Sequence, residues 1–307
     1  MEIIDGRYVG SGQKNLYVKE LGSGSPTIVI ETGWAGLSAE WADIQKTLSE
    51  KATVITYDRA GYGESPAMKG NRSGEVIAQE LYAMLTNGNF HEPFIFVAQD
   101  AGALYIRQFA KMYPNDVAGV VFVDPVTEEN DSFDELDVPT YQEIASLTSR
   151  MENLRGYPEM DKEEFTDLVV PMLEELYRDA PEVYKQQMIS YQSDQKFYAA
   201  ILAEFDARGE TFAQLHNYDD FPDVPITVII HDYKVMIEVA AQFGVDEQES
   251  KLTEELWLKL ARNMLKLSDD NDFILARNST HSVHLSRSDV VVSAVEDMIN
   301  RIEPAQD

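Results

Sequence analysis

Apolar and polar positions alternate along Arg7–Gly10 and again along Asn15–Leu21, the period of two expected of a half-buried strand, and the two segments predict an opening hairpin. The apolar runs that follow are short and uninterrupted. Thr27–Glu31 (TIVIE), Thr53–Tyr57 (TVITY), Phe94–Ala98 (FIFVA) and Val117–Val123 (VAGVVFV) each predict a buried strand. Between them the spacing becomes helical, over Ser38–Ser49 with Ser38 as N-cap, over Ser73–Leu85, and from the end of the FIFVA run to about Met112. From Pro125 to Asp223 the sequence is acidic, Tyr-rich and helical in pattern, with no strong strand. Pro225–Ile230 (PITVII) resumes the strand pattern, Gln248–Leu267 predicts a long helix, Asp272–Ala276 (DFILA) a last strand and Ser288–Ile302 a closing helix.

Strands alternating with helices predict an α/β fold, a mostly parallel central sheet with helices on both faces. The interruption predicts an inserted helical cap. The expected division is a core of residues 1–124 and 224–307 and a cap of residues 125–223.

Composition narrows what such a fold serves. The chain has 307 residues, and its 54 acidic against 25 basic residues give a formal net charge of −29. That field repels nucleic acid and anionic headgroups. Neither nucleic acid nor a membrane is therefore an expected partner, and a small, largely apolar molecule is the expected substrate. There is no cysteine, which excludes disulfides, a thiol nucleophile and thiolate metal ligands. No apolar run approaches the roughly 18 residues of a membrane helix, and the opening MEIIDGRYVG has no basic segment followed by an apolar one. A soluble, cytoplasmic protein is expected. No phosphate-binding or dinucleotide glycine motif appears, and no two histidines have metalloprotease spacing, so no cofactor and no metal are expected. Oligomeric state leaves no signal.

The chemistry concentrates at Val97-Ala98-Gln99-Asp100-Ala101-Gly102-Ala103, between a buried strand and a helix. Small residues two before and two after position 100 allow a sharp strand–turn–helix bend, which lifts the side chain of Asp100 above the sheet at a helix N-terminus. Partial positive charge and free backbone N–H groups there favour a carboxylate. A simple helix cap is the competing role for Asp100.

With this bend the chain resembles the α/β-hydrolase superfamily, over nearly all of its length. Asp58-Arg59-Ala60-Gly61-Tyr62-Gly63-Glu64-Ser65 looks like the loop these enzymes carry after their fourth strand, Glu31-Thr32-Gly33-Trp34 like their oxyanion-hole segment, and Thr280-His281-Ser282-Val283-His284 like their catalytic-histidine loop. Serine esterases of the superfamily have Gly-x-Ser-x-Gly at the bend. An aspartate there is similar to haloalkane dehalogenases and epoxide hydrolases. The resemblance implies a triad of Asp100, His281 and an acid, with His284 as the second choice for the base. Asp124, after the strand Val117–Val123, is the favoured acid and Asp232, after Pro225–Ile230, the alternative. The backbone N–H groups of Trp34 and Ala101 are the expected oxyanion hole, and Arg59 is expected to pin its loop.

An aspartate nucleophile attacks sp³ carbon, and water activated by His281 then hydrolyses the ester. Dehalogenases hold the halide with a Trp directly after the nucleophile. Here that residue is Ala101, leaving Trp34 as the candidate substitute. Epoxide hydrolases protonate the opening oxygen with cap tyrosines, and Tyr141, Tyr157, Tyr177, Tyr184, Tyr191 and Tyr198 are available. The competing reading is a serine-esterase-like scaffold in which Asp100 replaces serine, either inactive or a small-ligand receptor, because fold alone does not decide function.

Overall fold

The uninterrupted apolar runs form the middle of one eight-stranded sheet. The computed structural model describes residues 5–12, 15–91, 93–216 and 220–302. The reading of the opening sequence falls partly on Met1–Ile4, and the hairpin connection on Gln13 and Lys14; both lie outside the described residues. The strands are β1 (Arg7–Gly10), β2 (Asn15–Leu21), β3 (Thr27–Glu31), β4 (Thr53–Asp58), β5 (Phe94–Gln99), β6 (Val117–Val123), β7 (Ile226–Ile230) and β8 (Asn271–Leu275). Their order is β1-β2-β4-β3-β5-β6-β7-β8. β1 and β2 pair antiparallel, β2 pairs antiparallel with β4, and every other neighbouring pair is parallel.

Thirteen α-helices are present among the described residues. α1 (Ala42–Leu48), α2 (Gly74–Asn87) and α3 (Gly102–Met112) follow β3, β4 and β5. Between β6 and β7 lie α4 (Pro139–Ile144), α5 (Leu147–Leu154), α6 (Lys162–Leu176), α7 (Glu182–Gln192), α8 (Gln195–Asp206) and α9 (Arg208–Gln214). Then come α10 (Tyr233–Gln242), α11 (Glu247–Asn263), α12 (Val283–Ser286) and α13 (Ser288–Ile302).

The alternation of strand side chains explains why the central runs are apolar at consecutive positions. On β5, Phe94, Phe96 and Ala98 pack toward α2 and α3, whereas Ile95 and Val97 pack toward α1 and α13. β6 divides in the same way, Val120 and Phe122 against Val121 and Val123. A third apolar cluster joins Trp34, Tyr62, Leu104 and Tyr105 to side chains of α5 to α9. The helices between β6 and β7 are thus packed onto the carboxyl edge of the sheet.

Two local expectations differ from the structure. Ser38 does not cap a helix: it is the first residue of a 3-10 turn over Ser38–Trp41, its buried hydroxyl makes no cap bond, and α1 starts only at Ala42. The last strand starts one residue earlier than expected and is an edge strand, half-exposed along most of its length. Among the described residues no helix is long and apolar enough to cross a membrane.

Candidate active site

In parallel sheets the carboxyl ends of the strands are where side chains converge. Asp100, Asp124 and His231 are each the first residue after β5, β6 and β7. Asp100 has φ +51° and Asp124 φ +48°, a left-handed conformation that aspartate tolerates better than most residues. The Asp100 N–H donates to the Val123 carbonyl at 3.1 Å, and its own carbonyl accepts from the Val126 N–H at 3.1 Å, which locks the bend.

Glycine is required on two sides of this bend. A Cβ on Gly102 would lie 2.6 Å from the Glu31 carbonyl oxygen, and one on Gly33 would lie 2.2 Å from Asp100 Oδ2. The Asp100 carboxylate is therefore pressed against the backbone of the Gly33–Trp34 segment. The Trp34 N–H donates to Oδ2 at 3.0 Å, and the Ala101 N–H also reaches the carboxylate. Burial pushes the pKa of Asp100 up, but the hydrogen bond and charge of His281 and these two backbone donors outweigh burial and hold it below the usual carboxylate range.

The other oxygen, Oδ1, lies 3.4 Å from His281 Nε2. The opposite ring nitrogen, Nδ1, is 2.6 Å from Asp124 Oδ2. Burial depresses the His281 pKa, but the two carboxylates prevail and raise it to about 9. Asp124 is fully buried, and burial pushes its pKa up; His231 and His281 more than reverse this. It accepts from the Trp257 indole N–H at 2.9 Å and from the His231 backbone N–H at 3.3 Å.

The structure thus brings Asp100, His281 and Asp124 together with the Trp34 and Ala101 backbone. Asp232, the alternative acid, is engaged elsewhere: Oδ1 caps α10 at the Lys234 N–H (3.1 Å), and Oδ2 accepts from the Asn278 N–H (3.0 Å). His284 is buried and stacks on Trp41 with ring centroids 4.5 Å apart. Three residues near the cluster were not singled out from sequence. His231 places Nδ1 2.6 Å from Asp124 Oδ2 and Nε2 2.6 Å from Glu254 Oε2, and Trp257 sits one helical turn beyond Glu254 on α11. For His231 a signal existed, since it follows its strand as Asp100 and Asp124 follow theirs. For Glu254 and Trp257 there was none.

Arg59, expected to pin its own loop, instead holds the Thr32–Gly33 segment. It is fully buried, and its guanidinium donates to the Thr32 carbonyl at 2.6 Å, the Gly33 carbonyl at 2.7 Å and Glu31 at 2.7 Å. Two further bonds, both 2.9 Å, go to Glu204 of α8. The Tyr62 hydroxyl donates to Glu204 at 2.8 Å, and Tyr57 donates to Glu31. This network ties the segment 31–33 at the end of β3 to the helices between β6 and β7.

A cavity of about 600 Å³ opens over Asp100 and His281. Residues of the sheet edge, of α4, α5 and α8, and of α10 and α11 line it. Of the six tyrosines left open from sequence, Tyr141 alone lines it, and Tyr184, Tyr191 and Tyr198 pack into the apolar cluster instead. Trp34 and Trp257 also line it, but both indole N–H groups are committed: Trp34 Nε1 donates to the Tyr105 hydroxyl at 3.0 Å and Trp257 Nε1 to Asp124. Trp34 is therefore not the free donor that a halide cradle needs.

Asp124, His231 and His281 are also the group of metal-ligand type among the described residues, their ligand atoms within 4.8 Å of one another. The two imidazole nitrogens each approach one carboxylate oxygen at 2.6 Å, a hydrogen-bond separation. An ion bound about 2.0–2.2 Å from each atom would have to force them apart, so the arrangement fits shared protons better than a cation.

An open, mostly parallel sheet with a left-handed aspartate between strand and helix, facing a histidine–aspartate pair, defines a class of α/β enzyme that works from the carboxyl edge of its sheet. Known proteins share this architecture. A family model for the alpha/beta hydrolase fold matches residues 26–158. The chain is 26% identical over 294 residues to an AB hydrolase superfamily protein of Gibberella zeae, covering 90% of this chain and 87% of that one. It is 22% identical over 277 residues to the Bacillus subtilis protein YqjL, covering 90% and 85%. Among solved structures, the epoxide hydrolase CorEH superposes with a TM-score of 0.68 at 14% identity, covering 98% of this chain and 100% of that one. The enol-lactonase of Burkholderia xenovorans superposes with a TM-score of 0.67 at 16% identity, covering 96% and 100%. The chain has the α/β-hydrolase fold, and the family match together with these relatives supports a hydrolase.

Proposed function

We propose that this hydrolase opens epoxides through a covalent ester on Asp100, needs no cofactor, and uses residues 125–223 as a cap over the cavity. The observation that carries this reading is the division of labour between the two Asp100 oxygens. Oδ2 accepts from the Trp34 N–H and Oδ1 lies 3.4 Å from His281 Nε2, while the Ala101 N–H also reaches the carboxylate and the residue lines the cavity. In the reaction Oδ1 attacks an epoxide carbon, the C–O bond of the ring breaks, and the departing oxygen takes the proton of the Tyr141 hydroxyl; solvent later returns that proton. Burial, with Glu254 adding to it, pushes the Tyr141 pKa up to about 12, so the phenol carries its proton at neutral pH.

Ester formation removes the Asp100 charge and with it one of the two carboxylates that raise the His281 pKa. Neutral His281, held by Asp124, then takes a proton from water, and the hydroxide attacks the Asp100 carboxyl carbon. The Trp34 and Ala101 N–H groups stabilise the oxyanion that develops on Oδ2. Collapse breaks the Cγ–Oδ1 bond and expels the diol oxygen, which takes the proton held by His281, and the carboxyl left on Asp100 releases its own proton to solvent and is a carboxylate again. An alkyl halide is less well served, because Ala101 follows the nucleophile and the Trp34 and Trp257 indoles are occupied.

The test is intact-protein mass spectrometry of His281→Ala with a panel of epoxides and alkyl halides. The expected result is a one-to-one adduct with an epoxide, mapping to Asp100. If no compound adds, Asp100 stands in place of a serine on an esterase-like scaffold, and Asp100→Ser should then hydrolyse p-nitrophenyl acetate. Tyr141→Phe is expected to lower kcat on an epoxide about 10²-fold or more, the range of a lost general acid, without abolishing the adduct. Unchanged kcat would remove Tyr141 from the mechanism.

A further inference from the structure

The superfamily reading leaves His231 and Glu254 unused, although they form the most tightly bonded titratable pair beside the triad. Both nitrogens of the His231 ring face carboxylate oxygens at 2.6 Å, Asp124 Oδ2 on one side and Glu254 Oε2 on the other. Each of these contacts needs a proton between nitrogen and oxygen, and because imidazole is a stronger base than a carboxylate the geometry points to an imidazolium between two anions. His231 is also buried, with 4% of its surface exposed. Water therefore does little to screen its charge from Asp124.

The position of the contact matters as much as its charge. His231 Nδ1 and His281 Nδ1 bond to the same atom, Oδ2 of Asp124. Asp124 raises the proton affinity of His281, and a cation on the same oxygen opposes that effect. The groups around this pair come from every element packed on it. Asp100 lies at the β5–α3 bend and Asp124 after β6; Glu254 and Trp257 are on α11, with Tyr141 of α4 beside Glu254. His281 itself stands 6.4 Å from His231, ring centre to ring centre.

We propose that His231, held as a cation by Glu254, is a positioning residue that offsets the charge of Asp124 and so sets the pH at which His281 gives up its proton. The inference rests on His281 as the base of the proposed reaction, but its test does not need turnover. The shift is in the useful direction: without a counter-cation the imidazole of His281 stays protonated to higher pH and is less available to activate water. Glu254 completes the device, because it is the partner of Nε2, and without it His231 loses one of the two carboxylates that keep it charged.

The measurement is nitrogen-15 NMR titration of the histidine rings in the full chain, on wild type, His231→Gln and Glu254→Gln. Gln at 231 keeps an N–H for Asp124 but carries no charge. In wild type, His231 should remain an imidazolium from pH 5 to 8.5. In His231→Gln, the His281 midpoint should rise by about one pH unit, and the acid limb of the kcat–pH profile should move with it. In Glu254→Gln, His231 should begin to titrate below pH 8.5. A neutral His231 ring at pH 7.5 in wild type overturns the proposal. So does an unmoved His281 midpoint in His231→Gln, where a purely structural role would lower kcat or stability and leave the midpoint alone. If the covalent intermediate is never found, the chemistry assigned to His281 fails while the NMR result still decides the role of His231.

Discussion

Replacing Asp100 with alanine is expected to lower turnover of an epoxide by at least about 10⁴-fold, the scale on which removal of a single member of a catalytic group acts. No neighbouring side chain can take over. Trp34 and Ala101 offer backbone donors, His281 is an attacking-water base in this scheme, and Asp124 has both oxygens occupied by Trp257, His231 and His281. Single-turnover kinetics with an epoxide, together with thermal melting to verify the fold, makes the comparison. A variant that melts normally yet retains a tenth of the activity would transfer the nucleophile's role to water or to another residue. Asp100→Ser separates the two readings further. A serine hydroxyl at this bend has His281 3.4 Å from the position of Oδ1 and a carbonyl-binding pair of N–H groups beside it. It should lose epoxide opening, and any gain of ester hydrolysis measures how much of a serine-type machine surrounds position 100.

Arg59→Met is expected to be the most destabilising single change away from the reacting atoms, by about 3–5 kcal/mol, the penalty for leaving a buried partner charge uncompensated. The guanidinium is the shared cation of Glu31 and Glu204, both of which are fully buried. Burial already pushes the pKa of Glu31 up against the pull of Arg59. Without Arg59, Glu31 should take up a proton on folding. Denaturant unfolding at pH 7 measures the loss, and it should shrink as the pH is lowered and protonated Glu31 becomes affordable. Arg59→Lys should recover only part of it, because one ammonium cannot reproduce the planar fork that reaches the Thr32 and Gly33 carbonyls and Glu204 together. Adding Glu204→Gln to Arg59→Met should recover more. A loss below about 1 kcal/mol, the range of exposed pairs, would mean that the network is dispensable for the fold. Since the same bonds hold the Gly33–Trp34 segment, the Met variant should also lose activity beyond its loss of stability.

The legible part of this protein is local. The strands Phe94–Gln99 and Val117–Val123 announce themselves because side chains buried on both faces of a parallel sheet must be apolar at every position. The bend at Asp100 is visible because its requirements, a strand end, small neighbours and a helix start, all fall within a few residues. Ser38 misled for the opposite reason: a capping residue type stood at a helical pattern, but it lies inside a 3-10 turn with its hydroxyl buried and its N–H bonded to Asp58, so the hydroxyl caps nothing.

What the sequence by itself determined is the α/β class, the order of its strands and helices along the chain, and the candidates Asp100 and His281. Which residues meet was decided by the tertiary structure. Asp124 and Asp232 both follow a buried strand, and local pattern treats them alike; packing brings Asp124 to His281 across 157 residues and turns Asp232 toward Asn278. Packing also selected Tyr141 from six tyrosines, joined Arg59 to Glu204 across 145 residues, and set Glu254 against His231. The physical reason is that periodicity states which face of an element is buried, whereas a hydrogen bond depends on the distance and angle between elements that the assembled core alone sets.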